Sequence, residues 1–136
     1  MLLDIQGVAM WWFNNNKRSE VWDEEGGRPS DDLQAAHKIR DICRAAADSA
    51  GKIAAAADRS GKKIKYETDR YERAAKVAME IAMKITDDLL RDSSVRQIVD
   101  LCMKAEDIRT ARILFRAIQA ASISNEVLNE HPELRQ

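Results

Sequence analysis

Residues 54–64 read Ala54-Ala55-Ala56-Ala57-Asp58-Arg59-Ser60-Gly61-Lys62-Lys63-Ile64, and the architecture of the chain turns on them. If Gly61 lies just past a helix end, Lys62 and Lys63 open a second helix, and residues 31–59 fold against 63–91 as an antiparallel hairpin. If the helix continues instead, Gly61 costs about 1 kcal/mol relative to alanine and one rod of about 90 Å spans residues 31–91. The apolar spacing speaks for continuity. One seam position recurs as Ala36, Cys43, Ala50, Ala57, Ile64, Tyr71, Ala78 and Ile85, the other as Ile39, Ala46, Ile53, Ser60, Glu67, Ala74, Ile81 and Asp88. Only Ser60, Glu67 and Asp88 interrupt it, and its phase is kept from Ala57 to Ile64, which a turn has no reason to preserve. The expectation is therefore a continuous helix, with the hairpin broken at Gly61 as the alternative. A lone rod of that length is unstable in water, so its alanine-rich face needs a partner helix, and the continuous reading implies a homodimer.

Working outward, no stretch between Asp31 and Leu90 alternates with period two, and alanine, the best helix former, fills Ala45-Ala46-Ala47 and 54–57. The class is all-α, a coiled-coil-like helical bundle. Pro29 and Pro132 enclose a segment without proline; Ser30 is placed to cap the first helix, with Asp31 and Asp32 in its first turn near the positive end of the helix dipole. Asp92-Ser93-Ser94 with Gln97 has capping-box spacing, which predicts a third helical segment over about 94–122. Its apolar face is Ile98, Leu101, Cys102, Ala105, Ile108, Ala111, Phe115 and Ile118, and Ala105-Glu106-Asp107 is a point where it can break in two. A short helical turn with Val127 and Leu128 follows. The chain thus divides into an aromatic arm and polar linker (1–29), a helical domain (30–129) and a polar tail expected to be flexible (130–136).

Composition narrows the function. At 136 residues the chain makes one domain, and 22 Lys plus Arg against 23 Asp plus Glu leave a net charge of −1, without the basic excess of a dedicated nucleic-acid binder. With 45% hydrophobic and 33% charged residues it can build a core while each helix keeps a solvated face. Two cysteines, far apart, make neither a disulfide framework nor a zinc site. No signal peptide or membrane-spanning stretch is recognisable, and the expected compartment is the cytoplasm.

Chemistry-bearing patterns are sparse. His37 stands one turn before Asp41 with no third group on that face, and His131 beside Pro132 has no sequence neighbour to work with. Cys43 and Cys102 fall on apolar faces and read as core thiols. Ser60-Gly61-Lys62-Lys63 lacks the first glycine and preceding strand of a phosphate loop. No catalytic residue, cofactor or metal is expected, and the chain reads as non-enzymatic.

The aromatic distribution carries more. Trp11, Trp12, Phe13 and Trp22 all lie in the first 22 residues, ahead of an aliphatic helical body. Three consecutive aromatics cannot share one helix face, and tryptophan is the residue most enriched in binding hot spots. Their destinations are the chain's own helices or a dimer mate, a different protein, or, least favoured because only Lys17 and Arg18 lie close by and an acidic run follows, a membrane surface. The expected function is a self-associating adaptor, chaperone or inhibitor-like protein that docks through Trp11, Trp12, Phe13 and Trp22.

The alternative is a small subunit of a nucleoprotein complex, or a helix-turn-helix regulator. Between Arg59 and Lys76 seven basic residues, Lys62 and Lys63 among them, face three acidic ones, and Arg109, Arg112 and Arg116 form a stripe suited to phosphates. The acids interleaved in the first stretch equally make helical ion pairs, which weighs toward a solvated face.

Overall fold

The computed structural model describes residues 20–23, 31–56 and 61–135, and among them every regular element is helical. α1 (Asp32–Ala55), α2 (Lys62–Ala82) and α3 (Asp88–Lys104) form the core; α4 (Ile108–Phe115), α5 (Ala121–Glu130) and a 3₁₀ turn (Pro132–Arg135) close over α3, and a short 3₁₀ turn (Val21–Asp23) lies against α1 and α2. The all-α bundle is as expected, but the hairpin alternative is the one adopted. Ser49 meets Glu67, Ala45 meets Arg70, and Asp32 meets Thr86, so α1 and α2 run antiparallel. The continuous helix over 31–91 is thus corrected: α1 ends at Ala55, Ala56 is extended, and Gly61 stands at the N-cap of α2 rather than after a helix end. The seam needed a partner helix, and the chain supplies its own.

Helix starts follow the carboxylates. Asp31, not the expected Ser30, caps α1, its side chain accepting the Gln34 N–H at 2.8 Å, with Asp32 in the first turn. α2 has a weak start, with glycine at the cap and no acid in its first turn, so packing rather than capping holds it. The boundary expected at Asp92-Ser93-Ser94 falls earlier. Asp87 caps α3 by accepting from Leu90 N–H, while Asp32 accepts from Thr86 N–H, Thr86 Oγ1 and Asp87 N–H. These bonds satisfy the backbone where α2 turns into α3, and hold the Asp32 carboxyl below its ordinary value of 3.8. Asp92 and Ser94 then become buried interior residues of α3.

The break foreseen at 105–107 is real. Glu106 N–H donates to Met103 O and Asp107 N–H to Cys102 O, the paired bonds of a Schellman end, with Glu106 in the left-handed region at φ 61°. A non-glycine residue there is strained by about 1 kcal/mol. Replacing Glu106→Gly is expected to raise stability by about 0.5–1 kcal/mol, seen as a higher urea midpoint with an unchanged slope.

α1 and α3 run parallel, Asp32 lying by Asp87 at one end and Gly51 by the Lys104 stem at the other. Between α1, α2 and α3 lie Ile39, Ile42, Ala46, Ala50, Ala74, Ala78, Ala82, Ile98, Val99 and Cys102, all fully buried; the alanines let the helices approach closely. The segment from 130 onward, expected to be a flexible tail, packs instead: Leu134 is buried, and Arg112 donates to Glu133 O.

Candidate functional site

Of the residues that the sequence assigns to docking, Trp11, Trp12 and Phe13 lie outside the described residues. Trp22 does not present itself to a partner. It is buried, with the Arg70 guanidinium carbon 5.1 Å from its ring centroid. Arg70 also donates to both oxygens of Glu20, to Ala45 O and to Ser49 Oγ, and Lys38 Nζ donates to Val21 O at 2.7 Å. Trp22 is therefore corrected from a docking residue to the anchor that fixes the root of the arm.

The same groups line a polar cleft of about 410 Å³ formed by Glu20, Ala45, Asp48, Lys52, Tyr66, Glu67 and Arg70. Glu67, which breaks the apolar seam in the sequence, is buried, accepts from Ser49 Oγ at 2.7 Å and faces Lys52 at 3.6 Å. Lys52 in turn pairs with Asp48 at 3.2 Å, and those carboxylates raise its pKa. Cations and carboxylates in the cleft thus satisfy one another, and the arrangement is suited to holding residues 20–22 against the hairpin.

A different surface presents apolar groups. Leu33, Met83 and Leu89 are 58%, 63% and 60% exposed. They flank the Asp32–Thr86–Asp87 hydrogen-bond cluster, so all three belong to the end of the bundle where α1 begins and α2 passes into α3. The rim there is acidic on balance, with Asp31, Asp32, Asp87 and Asp88 against Lys84 and Arg91. Large side chains are thus left exposed on three segments that meet at this end of the bundle.

The arginine stripe does not stay together. Arg109 and Arg116 are exposed with Ile113 on the outer face of α4, whereas Arg112 is half-buried and tied to the 3₁₀ turn. Lys62 and Lys63 are exposed in the first turn of α2. His37 and Asp41 are both exposed.

Burial pushes the Cys43 thiol up to about 12 and the Cys102 thiol up to about 11, so both stay protonated at neutral pH. Beside Cys102, burial also raises Tyr71, whose hydroxyl donates to Asp107 at 2.7 Å and ties α2 to the turn after α3. His131, without a neighbour in sequence, has one in space: Nε2 lies 3.0 Å from Asp100 Oδ1, and Glu130 stands beside it. No sequence signal marks that pair, because 31 residues separate its members.

The fold is an all-α, up-down-up helical bundle with two short helices closing one side and residues 20–22 anchored against the hairpin. No protein-family model, curated protein or solved structure matches the chain. Among the described residues no helix is long and apolar enough to cross a membrane.

Proposed function

We propose that this chain is a non-enzymatic, cytoplasmic, self-associating protein-interaction module in which the aromatic arm of one copy docks on the apolar end of another. The observation that carries the reading is the exposure of Leu33, Met83 and Leu89 within an acidic rim. The arm supplies apolar groups for such an end, Met10, Trp11, Trp12 and Phe13, with Lys17 and Arg18 next to them and the acidic run Asp23-Glu24-Glu25 beyond. Trp22 and Glu20, held by Arg70, give the arm a fixed root from which to reach a second copy. Reciprocal exchange of two arms closes a two-fold dimer without exposing a further sticky surface. Because α2 already covers the α1 seam, association through the end replaces the long coiled-coil pairing implied by a continuous rod.

The nucleic-acid alternative has less support. One of its three arginines is engaged within the chain, and the outer face of α4 offers Ile113 between the other two.

Absolute mass by light scattering tests the proposal. The expected value for the intact chain is twice 15.4 kDa, with monomer appearing on dilution. Trp11→Ala with Trp12→Ala, and separately Leu33→Glu with Met83→Glu, are each expected to weaken dimerisation at least about tenfold, or 1.4 kcal/mol, at unchanged helicity. A monomer at high micromolar concentration, or a dimer indifferent to both pairs, overturns it.

A further inference from the structure

We infer that Asp100, Glu130 and His131 form a binding site for a divalent first-row transition ion of the zinc type, clamping the end of α5 onto α3. Asp100 lies in the last two turns of α3; Glu130 and His131 are the last residue and the C-cap of α5. α5 runs parallel to α3, as the meetings of Asp92 with Ala120, Arg96 with Glu126 and Glu130, and Asp100 with His131 show, and only that register brings the three donors together.

The geometry is already close to that of a coordination sphere. One oxygen each from Asp100 and Glu130 and one imidazole nitrogen of His131 lie within 4.8 Å of one another. Metal–ligand bonds of about 2.0–2.1 Å at tetrahedral angles put adjacent donor atoms about 3.3 Å apart. The His131 Nε2 to Asp100 Oδ1 separation is 3.0 Å. An ion therefore needs a side-chain shift of only a few tenths of an ångström at that edge, with Glu130 already within 4.8 Å of both. The backbone around the histidine is fixed: His131 N–H donates to Val127 O at 2.7 Å, and Leu134 N–H donates to His131 O.

Donor chemistry selects the ion class. One imidazole with two carboxylates suits zinc, cobalt(II) or nickel(II); calcium and magnesium prefer all-oxygen shells, and copper(I) prefers sulfur. Three protein donors leave a position open to water. The side chains of His131, Asp100 and Glu130 are 22%, 44% and 50% exposed, so the ion has a path in from solvent.

Arg96 opposes the ion. It donates to Glu130 Oε2 at 3.0 Å and to Glu126, orienting the first while placing a fixed positive charge beside the site. The site thus sets an ion against the Arg96 guanidinium, which repels it through space and shares the Glu130 carboxylate with it. In the metal-bound state α5 and the following turn, with Leu134 buried in it, are pinned to α3 by coordination rather than by exposed ion pairs, which individually contribute about 0–1 kcal/mol.

The test is a titration of the intact chain with cobalt(II), read by visible d–d absorption, and with zinc, read by calorimetry and melting temperature. Expected are one saturable site per chain and a melting temperature that rises with zinc and falls back with EDTA. His131→Ala and Asp100→Asn, which remove only a half-exposed contact and so remain folded, are each expected to weaken binding about a hundredfold. His37→Ala is expected to leave it unchanged, and Arg96→Gln to tighten it. Absence of saturable binding, or binding that survives both His131→Ala and Asp100→Asn, overturns the assignment.

Discussion

Replacing Arg70→Ala is expected to lower the stability of the chain by about 3 kcal/mol, which for a domain of this size moves the melting temperature by about 10 °C. The guanidinium makes bonds to both oxygens of Glu20, to the carbonyl of Ala45 and to the hydroxyl of Ser49, and it covers the Trp22 ring. Its side chain is 19% exposed and that of Glu20 28%, so neither is well solvated once the other is removed. Truncation leaves the Glu20 carboxylate and the Ala45 carbonyl short of a donor in a half-buried cleft, and leaving such groups unpaired costs more than the net value of the bonds. Arg70→Lys is expected to recover less than half, since a single ammonium cannot span Glu20, Ala45 and Ser49 as a planar fork does. The contrasting pair is Lys65 with Asp69, 75% and 62% exposed, whose removal is expected to cost less than about 0.5 kcal/mol. Thermal melts of the three variants check the ordering. An Arg70→Ala variant as stable as the parent contradicts the anchoring of residues 20–22.

Asp92→Ala is expected to cost about 2–4 kcal/mol, and its effect has an address. Asp92 is 1% exposed, and its Oδ2 accepts the N–H groups of Gln119 and Ala120, at 3.1 and 2.8 Å, where the chain turns into α5. Those donors lie at the start of a helix whose cap residue, Ala120, offers no side-chain bond, so nothing within α5 takes the place of the carboxylate. Two backbone donors without acceptors and a small void account for the magnitude. Asp92→Asn keeps an acceptor oxygen of the same shape and is expected to cost about 1 kcal/mol. Hydrogen exchange separates local from global loss: in Asp92→Ala, amides of residues 119–131 exchange faster than those of α1 and α2 at the same denaturant. Uniform acceleration along the chain contradicts the assignment of Asp92 to α5.

Glu67 and Asp92 also mark where sequence reading stops. Glu67 stands out in the sequence as a defect in an apolar seam, and Asp92 as the first residue of the capping stretch Asp92-Ser93-Ser94. In the fold both are buried acceptors, one for a hydroxyl of α1 and one for backbone amides 27 and 28 residues away. Burial of a carboxylate is set by its distant partners, which a local pattern does not contain. His131 is the extreme case, since Pro132 is its only notable neighbour along the chain and Asp100 its partner in space.

What the sequence by itself determined is the helical class, the acidic first turn of α1 at Asp32, the break at Ala105-Glu106-Asp107 and the apolar character of most seam positions. These follow from alanine propensity, first-turn acids and a 3.6-residue period, all interactions within a few residues of one another. What only the tertiary structure decided is which helix covers the seam, where Trp22 goes, and which carboxylates meet Arg70, Arg96 and His131. A heptad phase is the same whether the covering helix comes from the same chain or from a second copy. The choice was made by the cluster of Asp32 with Thr86 and Asp87 at one end of the hairpin, and of Ser49 with Glu67 and Arg70 along it, where polar groups 18 to 55 residues apart find partners only when α2 folds back on α1.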